Sequence, residues 1–187
     1  MVIEEKGLMA AMKDAYKGEG YKVAVEDSAG CQNVILHTAM WTVVVLKKEL
    51  PRKVLAMIVE HVGEIPQPGQ AWQVKKKEVQ TEIFQMVAKA PQEYHSWEQP
   101  RRLIRKTNLV LGGCPLWQTA TEGKVVKVQP DYEEILKWWD CTVRLVGDYV
   151  LMADDEISRA YIRCTIPKDT QERQMLEHLA NVKWVSE

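Results

Sequence analysis

The chain reads as an α+β protein: two weakly repeated α-β-β-β-α units with a mainly antiparallel sheet and helices packed on one face. Three observations predict this. Segments of alternating apolar and polar residues recur between stretches of helical spacing. Val34-Ile35-Leu36-His37 has a counterpart in Tyr149-Val150-Leu151-Met152, and Leu50-Pro51 has one in Ile166-Pro167 about 116 residues later. Val59-Glu60-His61-Val62 then matches Leu176-Glu177-His178-Leu179 at nearly the same offset.

The first helix is expected over about 4–17, where Leu8, Met12, Ala15 and Tyr16 share a face and Gly18 and Gly20 follow. Lys22 to Glu26 alternates as a half-buried strand does, and Asp27-Ser28-Ala29-Gly30 is a turn. Strands follow at about 32–37 and 40–47. Val43-Val44-Val45-Leu46 does not alternate, which predicts a central strand covered on both sides. Pro51 suits a first helical turn, and Val54, Ile58 and Val62 give that helix its apolar stripe before Gly63. A surface connection at 64–70 leads to a short strand at 72–75. Val79, Ile83 and Val87 then predict a helix ending before Pro91.

Prolines, paired glycines and mixed aromatic and basic residues between Pro91 and Pro115 mark a boundary. The expected division is 1–90 as unit one, 91–106 as linker or functional loop and 107–187 as unit two. The alternative is one continuous domain with pseudo-twofold symmetry. Strands are expected at 107–111, 116–121 and 124–129. A short helix capped by Asp131 places Tyr132, Ile135 or Leu136, and Trp139 on one face. Cys141 to Val146, a Gly147-Asp148 turn and Tyr149 to Met152 form a hairpin. Ala160, Ile162, Cys164 and Ile166 alternate with polar residues, Asp169 and Glu172 start the last helix, and Val182 to Val185 completes the sheet.

Composition excludes several classes. No apolar run reaches the roughly 18 residues of a membrane span, and the acidic opening Glu4-Glu5 is unlike a signal peptide, so the expectation is a cytoplasmic protein without a membrane partner. Four scattered cysteines without a C-x-x-C pair predict free, reduced thiols rather than a disulfide framework or a metal site. Nucleotide-binding, zinc-protease and serine-hydrolase signatures are absent, and no cofactor is implied. Asp154-Asp155-Glu156 lacks the spacing of a calcium loop.

Net charge is −1, with 16 basic and 13 acidic residues in 1–110 against 9 and 13 in 111–187. The basic excess concentrates in Lys75, Lys76, Lys77, Arg101, Arg102, Arg105 and Lys106, a candidate polyanion or nucleic-acid surface if the fold joins them. Seven tryptophans against one phenylalanine single out Trp97, set among Tyr94, His95 and the arginines, and Trp138, whose neighbour Trp139 cannot share its helix face. Cys114, after Gly112-Gly113, is a reactive-thiol candidate with His95 as a possible base. Glu60-His61 and Glu177-His178 fit helix C-termini better than acid-base chemistry, because adjacent helical side chains point about 100° apart. The leading expectation is a non-catalytic protein-interaction or self-association module. A nucleic-acid binder through 75–106 comes second and a thiol-dependent enzyme third.

Overall fold

The computed structural model describes residues 1–76, 78–93 and 100–182. Helix α1 (Glu5–Lys17) buries Leu8, Ala11 and Met12, and the Gly18 N–H closes it on the carbonyls of Asp14 and Ala15. Gly20 follows at φ +88°, where a Cβ would lie 2.5 Å from the Val74 carbonyl oxygen. Only glycine fits that close approach. A meander of β1 (Tyr21–Ser28), β2 (Cys31–His37) and β3 (Trp41–Leu46) comes next, then a 3₁₀ turn at Lys47–Glu49 and α2 (Arg52–Val62). The chain continues through β4 (Ala71–Lys75), β5 (Glu78–Glu82) and α3 (Phe84–Glu93). The later half supplies β6 (Arg101–Leu111), β7 (Cys114–Thr119), β8 (Val125–Lys127), α4 (Pro130–Glu133), β9 (Val143–Val146), β10 (Val150–Asp154), β11 (Ser158–Arg163) and α5 (Thr170–Ala180).

Among the described residues eleven strands join one sheet in the order β5-β4-β1-β2-β3-β11-β10-β9-β6-β7-β8. Every neighbouring pair is antiparallel. The fold is therefore mixed α+β. Strands β3 and β11 meet at the centre, with Val43 opposite Ala160. Thus the two halves share one sheet.

Period-two alternation divides β1 and β2 between two cores. Val23, Val25, Val34 and Leu36 face the main core with Leu8, Met12, Val54 and Ile58 of α1 and α2. Ala24 and Ile35 face the reverse side, where Val87 and Ala88 of α3 cover them. Helices thus lie on both sides of this part of the sheet. That explains the unbroken apolar run of β3: Val43 and Val45 enter the main core while Val44 packs toward α3. Each fully buried Val or Leu contributes about 1.5–3 kcal/mol of transfer free energy.

Four local expectations differ from the structure. The Val79, Ile83, Val87 spacing is not one helix, because Glu78–Glu82 pairs with β4 as a strand and α3 begins at Phe84 with Pro91 inside it. The alternation of Glu78, Gln80 and Glu82 with Val79 and Thr81 is the better guide there. The short helix α4 ends at Glu133 and lacks a side-chain cap, so Asp131 is not its cap and Trp139 lies beyond it. Residues 101–106, expected in a linker or functional loop, form the first part of β6. Val182 is not in a strand, and the remainder of that expected strand lies outside the described residues. At α5, by contrast, the Asp169 carboxylate accepts the Glu172 N–H at 2.8 Å as its start signal predicted.

Candidate functional site

Strand β6 sets the site because it has two different partners. Arg101, Arg102 and Leu103 pair with β9, whereas Ile104 to Lys106 pair with β7 on the other side. Between Lys106 and Val110 the register with β7 shifts, and the Thr107 hydroxyl donates to the Leu116 carbonyl at 2.9 Å. Beyond Leu103 the chain preceding β9 diverges from β6, and a groove of about 530 Å³ opens between them. Leu103, Arg105, Lys106, Trp117, Trp138, Trp139 and Cys141 line it.

The groove is aromatic. Trp117 on β7 is buried, and the Trp138 ring meets it edge-on at a centroid distance of 6.4 Å. Trp139 meets Trp138 at 5.6 Å and 84°, so the two outer indoles form a corner. Such edge-to-face pairs contribute about 0.5–1.5 kcal/mol beyond burial. Trp138 is 37% exposed and Trp139 62%. Both lie in a turn after α4 rather than on a helix, and the more exposed indole is Trp139.

Glu133 organises the base of the groove. Its buried carboxylate accepts the Trp117 indole N–H through Oε1 at 2.7 Å and the Lys106 ammonium through Oε2 at 2.7 Å. Lys106 also stands 4.7 Å from the Trp138 ring centroid, a cation–π contact. One carboxylate thereby fixes a buried indole, a cation and, through that cation, a half-exposed indole. The Cys141 thiol has its pKa pushed up, first by burial and then by Asp140 and Asp155, so it stays protonated.

The structure brings Trp138, Arg105 and Lys106 together but leaves Lys75 and Lys76 elsewhere, since six strands separate β4 from β6 in the sheet. Lys75 pairs with Glu19 at 3.6 Å. Arg102 pairs with Glu122 at 2.6 Å and donates to the Gly147 carbonyl. Arg101 lies on the β9-paired part of the strand. Lys77, Trp97 and His95 lie outside the described residues. Cys114 is 6% exposed, and its thiol faces the Gln129 side-chain oxygen at 3.8 Å. Sequence reasoning missed Glu133, Trp117 and Leu103 as parts of the site, which Trp138, Arg105 and Lys106 had signalled only separately.

A second cavity of about 370 Å³ lies between β8 and α5, near Lys124 and Arg173. The Lys124 ammonium is held by Asp148. Among the described residues no cluster of three His, Cys, Asp or Glu is placed to hold a metal, and no helix is long and apolar enough to cross a membrane. Comparison with family models, curated proteins and solved structures finds no match to this chain.

Proposed function

We propose that this chain is a non-catalytic protein-interaction module whose partner, another protein or a second copy, docks in the indole groove beside β6. The observation that carries this reading is the exposure of Trp139 (62%), Leu103 (42%) and Trp138 (37%) around one groove. Adjacent large apolar groups are what a partner's anchor residues cover. Of the two cations that line the groove, Lys106 is already compensated by Glu133, which favours a protein over a polyanion. Trp139→Ala tests the reading: loss of the partner or of the oligomer with unchanged thermal stability supports it. A strictly monomeric protein whose captured partners are the same with and without Trp139 overturns it.

The internal duplication belongs to the same proposal. Read inward from each side, the sheet gives β4-β1-β2-β3 and β6-β9-β10-β11, and β2 and β10, which carry the matching tetrapeptides, hold equivalent places. The reading places the module in the cytoplasm, in keeping with four free cysteines.

A nucleic-acid reading is second, favoured by Arg105 and Lys106 flanking the same groove as Trp138 and Trp139. It predicts saturable oligonucleotide binding that weakens steeply with salt and falls on Arg105→Ala. Absence of binding at low salt removes it.

A further inference from the structure

The sheet has two edges, and the protein treats them differently. Edge strand β8 has three residues, all buried, and α5 packs Leu176 onto Val125 beside it. Lys127 of β8 also forms a bridge with Thr165 and an ion pair with Glu172. That edge is closed. The opposite edge, β5, is regular over all five residues, pairs among the described residues with β4 alone, and is exposed from Glu78 to Thr81. In an antiparallel edge strand alternate residues turn their peptide N–H and C=O groups away from the sheet. Just past its end, Ile83 and Met86 are 59% and 63% exposed.

The side chains of β5 restrict what can pair there. Glu78, Gln80 and Glu82 share one face of the strand. A second copy paired antiparallel over the full strand would set Glu78 against the partner's Glu82 at both ends, and directly opposed like charges are unfavourable. Glu82 is already ion-paired to Lys22 at 2.9 Å, so an incoming strand with basic residues on that face meets chiefly the exposed Glu78 carboxylate.

We infer that β5 is a second interaction surface, which accepts an extended partner segment carrying Lys or Arg at alternate positions by adding it to the sheet edge. This surface is independent of the indole groove. The test uses the full chain with three blocked heptapeptides: alternating Lys and Val, alternating Glu and Val, and alternating Lys and Pro. The last keeps the charge, but its prolines lack an N–H and disfavour an added ladder strand. The Lys-Val peptide is expected to bind and to slow hydrogen exchange of β5 amides, with the other two failing. Glu78→Lys is expected to weaken it about fivefold. Trp139→Ala leaves this binding unchanged, which separates it from the groove. Equal binding of the Lys-Pro peptide, binding without slowed β5 exchange, no binding at millimolar peptide, or self-pairing of β5 in the free protein each overturns the inference.

Discussion

Glu133 and Trp117 lie on different elements, yet the Glu133 carboxylate accepts the Trp117 indole N–H at 2.7 Å and holds the wall of the groove. Glu133→Ala leaves that buried N–H without its acceptor, at a cost of about 1–3 kcal/mol. Lys106 is 28% exposed and can turn partly to water, so it adds little. The expected loss in urea unfolding is about 2–3 kcal/mol. Glu133→Gln keeps an acceptor for Trp117 and is expected to cost about 1 kcal/mol. Equal losses for both variants would contradict this division.

Gly7 marks where α1 crosses the chain after α4. A Cβ at this position would lie 1.9 Å from the Glu134 carbonyl oxygen, and the nearby Glu4 N–H donates to Ile135 at 2.8 Å. Alanine improves helix propensity by about 1 kcal/mol, but a backbone collision of this size costs more. Gly7→Ala is expected to destabilise by about 2 kcal/mol or more, whereas Gly18→Ala, with nothing closer than 3.5 Å, changes little. Thermal unfolding of the two variants checks the contrast.

Two histidines predict acid sensitivity. His61 stacks on Tyr16 at 3.9 Å, and its Nδ1 lies 3.1 Å from the Tyr21 hydroxyl. Burial holds the Tyr21 phenol well above its ordinary pKa, so it stays protonated beside Nδ1. Burial lowers the His61 pKa; Glu60 opposes the shift and Lys13 adds to it. Burial, then Lys22 and Arg163, lower His37, which is bonded to Thr42 at 2.8 Å. Both folded pKa values lie below the unfolded value of about 6.5, so the unfolded chain binds more protons there. Stability is fully present above that pH and is lost as pH falls toward the folded values. The urea midpoint is expected to fall from about pH 7 to pH 5, and less so in a His37→Gln, His61→Gln double variant. A midpoint that rises on acidification contradicts the assignment. Asp148 and Glu172, whose pKa values are lowered chiefly by hydrogen bonds from Lys124 and Lys127, act in a lower, separate window.

Much of the fold was legible where one residue pattern had one meaning. The meander of β1 to β3, the Gly147 turn and the Asp169 cap with Glu172 each rest on local chemistry that the structure repeats. The pattern failed at Val79, Ile83 and Val87, where helical spacing spans a strand and a helix. Trp138, Arg105 and Lys106 were identified from the sequence as separate features. Their convergence depends on β6 leaving β9 and on Glu133 reaching from α4, and neither tertiary event has a local signal. Lys75 and Lys76 looked equivalent to the β6 cations but lie across the sheet.

The central claim is that the indole groove is the partner surface. Its most direct test is photocrosslinking with benzoylphenylalanine in place of Thr142, beside the groove, and of Lys48, away from it, in the cells that make the protein. The account predicts a discrete crosslinked species from position 142 that is absent from position 48 and lost on Trp139→Ala. The same products from both positions, or a species that persists without Trp139, would contradict it.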